Sequence, residues 1–140
     1  LAQRVAWCQN LTHAHPRIIV TDIEKSLGSF RTITTLKALR RRFDGTDFIF
    51  LMGSDLVPQF PRWARWRQIP DQAAIAVVPR PPALDNIRFS RLGALAGGRQ
   101  IRVGGSGLAV LNPGNLFQIR NGPTNPLSST MIRNQLKTNI

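Results

Sequence analysis

The sequence predicts a single α/β domain built on a mostly parallel sheet, and three observations carry that expectation. Strand-like and helix-like segments alternate along the chain, the order that gives a sheet with right-handed crossovers. Two short runs, Phe48 to Met52 and Ala74 to Val78, are continuously apolar, the pattern of strands covered on both faces by helices. A chain of 140 residues, 42% of them hydrophobic, matches the common size of one domain with a sizeable core.

The first segment, Leu1 to Leu11, carries apolar side chains at Leu1, Val5, Cys8 and Leu11, a three-to-four spacing that predicts one face of a helix. Arg17 to Val20 follows Pro16 and is short and β-branched, so a buried strand is expected there, running into Thr21-Asp22-Ile23-Glu24. A second helix is predicted over Thr32 to Phe43, with Ile33, Leu36, Leu39 and Phe43 on one face. Its arginines lie on the other, and Asp44-Gly45-Thr46 ends it.

Phe48 to Met52 and Ala74 to Val78 are the predicted parallel strands. Between them Pro58, Pro61 and Pro70 break regular structure and leave room for one short helix around Arg62 to Gln68. Pro79 to Gly107 is rich in Pro, Gly and Arg with weak periodicity, which predicts surface loop with a short helix at most. Leu108 to Leu111 and Leu116 to Ile119 read as strands, and Ser128-Ser129-Thr130 as the start of a last helix towards Lys137.

Composition narrows the function. Nineteen Lys and Arg against seven Asp and Glu give a net charge of +12, which points to polyanionic partners: nucleotides, nucleic acid or acidic surfaces. Arg40, Arg41 and Arg42 form the dense run, at a helix end where they also suit the negative pole of the macrodipole. One cysteine, Cys8, excludes an internal disulfide and a thiolate metal cluster and fits a reducing, cytoplasmic setting, with the thiol as buried helix-face filler. Neither apolar run approaches the roughly 18 residues a membrane-spanning helix needs. No signal segment opens the chain, and Leu1 starts what reads as mid-helix, so a preceding segment is expected.

Three places carry chemistry, each just beyond a strand or at a helix start, where open α/β sheets hold ligands. Met52-Gly53-Ser54-Asp55 follows the Phe48 strand. Gly53 permits close backbone approach and Asp55 can accept hydrogen bonds from ribose hydroxyls, although turn chemistry alone gives the same pattern. Ser128-Ser129-Thr130-Met131-Ile132-Arg133 places hydroxyls, free amides and an arginine at a helix start, which suits phosphate as well as ordinary capping. Phe60-Pro61-Arg62-Trp63 is a stiffened loop whose aromatic either packs against the sheet, the commoner outcome, or stacks on a planar ring. His13 and His15 sit in a turn before Pro16 with no carboxylate or cysteine beside them in sequence, and solvent exposure is expected for both.

Taken in order, Asp22-x-Glu24, Thr32-x-x-Thr35-Leu36, Phe48-Ile49-Phe50-Leu51-Met52-Gly53-Ser54-Asp55, Phe60-Pro61-x-Trp63, Val77-Val78-Pro79-Arg80-Pro81 and Ser128-Ser129-Thr130-x-Ile132-Arg133 resemble the bacterial nicotinate mononucleotide adenylyltransferases. Only Pro82 to Pro126 carries no strong signal of that family.

The resemblance implies a Rossmann-like nucleotidyltransferase fold whose N-terminal part is missing, so that residues 1–140 form one partial domain. It implies adenylyl transfer from ATP to nicotinate mononucleotide, with magnesium, giving nicotinate adenine dinucleotide and pyrophosphate in NAD biosynthesis. By the same resemblance Thr32 holds the nicotinate carboxylate and Trp63 stacks on the pyridine ring. Met52 and Gly53 line the adenine pocket, Asp55 faces the ribose of the adenosine half, and Ser129 and Arg133 meet the ATP phosphates. Homo-oligomers are compatible with it, and a membrane partner is not expected.

The chain departs from the family at three places. Arg31 stands where the family has a tyrosine, and Ala64 where an aromatic commonly follows the tryptophan. The family's opening strand and Gly-x-Phe-x-Pro-x-His-x-Gly-His turn, whose histidines stabilise charge on the phosphates, have no counterpart, so no catalytic residue is assigned in this chain. Two readings follow: an adenylyltransferase whose catalytic segment lies outside the 140 residues, which is favoured, or a non-catalytic basic subunit of the same descent that binds RNA or a larger assembly.

Overall fold

A computed structural model describes residues 2–80, 87, 89–96, 100–103 and 113–119. Helix α1 spans Ala2–Thr12, α2 Ile23–Ser26, α3 Thr32–Arg42 and α4 Arg91–Ala96; strand β1 spans Ile49–Gly53, β2 Ala74–Val78, β3 Gln100–Val103 and β4 Leu116–Ile119. The strands lie in the order β1-β2-β4-β3 and all three pairings are parallel. The expected α/β fold with a parallel sheet is what the chain adopts.

β2 is the centre of the domain. Its alternating pattern sets small residues on one face, Ala74 and Ala76, and large ones on the other, Ile75 and Val77. All four are almost fully buried. Onto the Ile75 face pack Ile33 and Leu36 of α3, Met52 of β1, Leu92 of α4 and Leu116 of β4, closed by Phe60, Trp66 and Ile69 from the β1–β2 connection. Each fully buried side chain of this size contributes about 1.5–3 kcal/mol.

α3 forms where its periodicity places it. Ile33 and Leu36 are buried, and Arg40, Arg41 and Arg42 occupy the last turn, where cations meet the helix's negative pole. Arg40 also donates to the main-chain oxygen of Gln72 at 3.1 Å, tying the helix end to the approach to β2. Gly45, at φ 72°, completes the turn out of the helix, a conformation costly for a residue with a Cβ. α4 begins with Ser90, whose hydroxyl accepts from the Gly93 amide at 3.0 Å as an N-cap.

Several expectations are corrected. Arg17 to Val20 is not a strand: Ile18 donates to the His15 carbonyl at 2.9 Å, closing a turn with Pro16 in its second position. Ile18 and Ile19 are exposed. The β-branched run has no described strand beside it, and the proline-led turn wins locally. Just after it lies α2, a single helical turn over Ile23–Ser26 where the sequence predicts none.

α1 forms as expected, but no residue of it is buried; Leu11 is 80% exposed and Cys8 is exposed rather than buried filler. β1 is covered on one face only. Met52 and Phe50 turn inward, whereas Ile49 and Leu51, on the opposite face, are 45% and 63% exposed.

The β1–β2 connection holds three separate 3-10 turns, Ser54–Leu56, Phe60–Arg62 and Trp66–Gln68, instead of one short helix. Pro58, Pro61 and Pro70 each remove a donor and confine every turn to a single winding. Arg65, between the last two, is held in the left-handed region at φ 51°. α4 is the short helix expected in the Pro79 to Gly107 stretch, which also contains β3, a strand its composition concealed. The expected strand at Leu108 to Leu111 and the expected C-terminal helix lie outside the described residues.

Candidate nucleotide and mononucleotide site

Parallel pairing of β1 with β2 brings two loops together at the same end of the sheet. Gly53 lies opposite Val78, so Ser54-Asp55 and Pro79-Arg80 leave their strands side by side. Ser54 is the buried polar residue of the described core. Its hydroxyl accepts from the Arg80 amide at 2.8 Å and donates to the Arg80 carbonyl at 3.2 Å, which satisfies both backbone groups as a third strand residue would.

That clamp sets the Arg80 guanidinium 3.6 Å from Asp55 Oδ2. Both side chains are more than one-third exposed, so the pair is screened and adds little to stability. Its value lies in orientation. Asp55 Oδ1 is buried and has no hydrogen-bond partner among the described residues. Gly53 suits the same geometry, since a Cβ there would meet the Asp55 carboxylate, which would have to shift, and would touch the Arg80 side chain.

Met52 is 4% exposed and its side chain belongs to the core, so a ligand at this strand end meets its main chain only. Arg80 was not singled out as a site residue by the sequence reading. The available signal was positional, because Pro79-Arg80-Pro81 leaves β2 where Gly53-Ser54-Asp55 leaves β1.

A second concavity, of 280 Å³, lies between the start of α3 and the loop after β1, lined by Phe30, Arg31, Thr32, Trp63, Ala64 and Ile69. It brings Thr32 and Trp63 together, two residues that the sequence reading paired. Trp63 is half-buried. Its ring packs against Phe60 at 5.2 Å between centroids and edge-on to Phe50 at 6.0 Å, so the packing role expected of it is real. The remaining surface of the ring opens into the cavity. A roomier cleft of 660 Å³, lined by Ser54, Arg62 and Arg91 among others, contains none of the residues predicted to bind substrate.

His13 and His15 are exposed, and His13 Nδ1 lies 2.8 Å from the Asn10 carbonyl at the end of α1. Among the described residues no three His, Cys, Asp or Glu side chains gather to hold a metal ion. Nor is any described helix long and apolar enough to cross a membrane. Ser129 and Arg133 lie outside the described residues. The described groups can hold and orient a sugar hydroxyl, an anion and a planar ring; none is arranged as a general acid or base.

The chain is thus an α/β domain with a parallel sheet and two loops brought together at one end of it, and comparison with known proteins gives its class. A family model described as cytidylyltransferase-like matches residues 1–135. The chain belongs to that cytidylyltransferase-like family, among relatives named nicotinate-nucleotide adenylyltransferases. A probable nicotinate-nucleotide adenylyltransferase of Cereibacter sphaeroides (strain ATCC 17025 / ATH 2.4.3) is 41% identical over 133 residues, covering 95% of this chain and 70% of the relative. Its counterpart in Agrobacterium fabrum is 34% identical over 137 residues, 98% of this chain and 73% of the relative. The probable enzyme of Parvibaculum lavamentivorans is 38% identical over 118 residues, 84% of this chain and 59% of its own length.

Proposed function

We propose that this chain is the substrate-holding part of a nicotinate-nucleotide adenylyltransferase, which transfers the adenylyl group of ATP to nicotinate mononucleotide and releases pyrophosphate. The observation that carries the reading is the strand-end arrangement: Ser54 clamps Arg80, Arg80 engages one oxygen of Asp55, and the other oxygen is buried and unpaired. The Asp55 side chain is 36% exposed, so its accessible oxygen, held in place by Arg80, is an acceptor for the hydroxyls of the adenosine ribose, with Gly53 and the Met52 main chain against the adenine. Arg80 offers a cation to the nearby phosphates.

The pyridine half fits the second cavity, with the ring on the open side of Trp63 and Thr32 beside its carboxylate. Ser129 and Arg133 meet the ATP phosphates by their resemblance to the family motif. A magnesium ion would arrive bound to the ATP phosphates. When bound, that ion offsets phosphate charge. The residues here bind and align; positioning of this kind supplies a large part of the acceleration in such transfers but leaves charge on the reacting phosphoryl group to be stabilised. The RNA-binding alternative draws no support from the relatives.

A coupled pyrophosphate assay with ATP and nicotinate mononucleotide tests the reading on two proteins: these 140 residues, and a form in which a segment with the Gly-x-Phe-x-Pro-x-His-x-Gly-His turn precedes Leu1. The first is expected to be inactive and the second active, with replacement of either histidine removing most of the activity. Turnover by the 140 residues alone would overturn the division of labour, and an inactive longer form the function itself.

A further inference from the structure

The cavity beside Trp63 has a chemical character beyond a flat seat for a ring. Its lining residues include two aromatics, a threonine and one charged residue, Arg31, which also borders a neighbouring concavity with Gly28, Ser29 and Thr34, and no carboxylate. The main chain of Arg31 is fixed on both sides. Its amide donates to Ser29 Oγ at 3.3 Å, and its carbonyl accepts from the amides of Thr34 and Thr35 at 2.9 and 3.2 Å. Arg31 is thereby the N-cap of α3, with the side chain rooted at the rim of the cavity next to Thr32. The positive end of an 11-residue helix lies at the same place and adds to the field felt by an anion there.

The guanidinium makes no ion pair or side-chain hydrogen bond to another described residue; the ion pair of the described residues is the one between Arg80 and Asp55. Ala64, next to Trp63, contributes only a methyl group to the cavity lining.

We infer that Arg31 is a specificity-determining residue: it pairs with the carboxylate of a pyridine nucleotide seated on Trp63, so that the site takes the pyridine carboxylate in preference to the matching carboxamide. This rests on the proposed seat of the mononucleotide between Thr32 and Trp63. A guanidinium fork offers two parallel donors that a carboxylate meets with two charged oxygens. A carboxamide meets the same fork with one neutral oxygen and an NH2 group that cannot accept. Discrimination therefore comes from charge and from the number of acceptors, not from size. Because Arg31 is exposed, salt weakens the preference.

Calorimetric titration of nicotinate mononucleotide and nicotinamide mononucleotide into the longer form, its Arg31→Ala variant and its Arg31→Lys variant tests this without any need for turnover. The unaltered protein is expected to favour the carboxylate by about tenfold, the scale of one hydrogen-bonded charge pair. Arg31→Ala should bring the two affinities close together by weakening the carboxylate alone, and Arg31→Lys should keep part of the preference. An unchanged ratio in Arg31→Ala, or equal loss of both ligands, overturns the role of Arg31. Failure of the unaltered protein to bind either mononucleotide overturns the seat on Trp63 and this inference with it. Pyrophosphate release by the longer form with an unchanged ratio removes Arg31 while leaving the proposed function standing.

Discussion

Ser54 and Arg80 hold each other at two points, the hydroxyl of one accepting from the amide and donating to the carbonyl of the other, across 26 residues of sequence. The contact joins the loops that leave β1 and β2, and everything at that end of the sheet depends on it. Ser54→Ala removes both bonds and leaves the part-buried amide and carbonyl of Arg80 without them. The protein should lose about 1–3 kcal/mol in urea denaturation, and Ser54→Thr, which keeps the hydroxyl, should lose less. Equal losses for the two replacements would mean that the bonds contribute nothing beyond packing.

Gly53→Ala is expected to act on Asp55 rather than on the strand. The added methyl meets the carboxylate and displaces it, so adenosine affinity should fall about as far as in Asp55→Ala, on the order of tenfold for the loss of a hydrogen bond to a charged acceptor. Combining the two replacements should add little, because both remove the same acceptor. Titration of adenosine into the single and double variants checks this, and additive losses would exclude it.

Trp63→Ala should show two effects. Mononucleotide binding weakens by about 0.5–1.5 kcal/mol, the worth of one aromatic stack. Stability also falls, because the ring packs against Phe50 and Phe60. Trp63→Phe separates them, preserving more stability than binding. A melting curve beside titrations with mononucleotide and ATP decides: ATP affinity should stay nearly constant while mononucleotide affinity drops.

Arg65 occupies a left-handed conformation that costs a residue with a Cβ about 1–2 kcal/mol. Arg65→Gly relieves that cost, offset in part by the greater freedom of glycine in the unfolded chain. A net gain of about 0.5–1 kcal/mol in denaturant unfolding is expected, whereas Arg65→Ala should gain nothing.

Burial separates two aliphatic residues that the sequence reading placed alike on apolar faces. Ile75→Ala, at 1% exposure, should cost about 2–5 kcal/mol. Leu11→Ala, at 80% exposure, should change stability by less than about 0.5 kcal/mol. Chemical denaturation of both variants tests the contrast.

The parts read correctly from sequence were those whose signal is local and unopposed. α3 has a full helical period and a stop at Asp44-Gly45, and β2 is an uninterrupted apolar run in the middle of the sheet. Arg17 to Val20 failed because strand composition says nothing about a neighbour, and Pro16 offered a turn that needs none. β1 was read as covered on both faces for a related reason: Ile49 and Leu51 look identical in sequence whether or not something lies above them. At the candidate site, motif order points to Gly53, Asp55, Thr32 and Trp63, and the structure sets Thr32 with Trp63 and Gly53 with Asp55. As a site residue Arg80 was not legible, because its meaning comes from strand register, which no local pattern records.

The bare flank of β1 also governs how this protein behaves as a colloid. Ile49 and Leu51 present an aliphatic strip on a strand whose outer ladder groups have no described partner, while a net charge of +12 drives the molecules apart. The repulsion reaches about 8 Å at physiological ionic strength and shrinks as salt is added; the attraction between aliphatic strips does not. Self-association of this chain should therefore grow with ionic strength, the opposite of a complex held by charge, and low salt is the condition that keeps it dispersed.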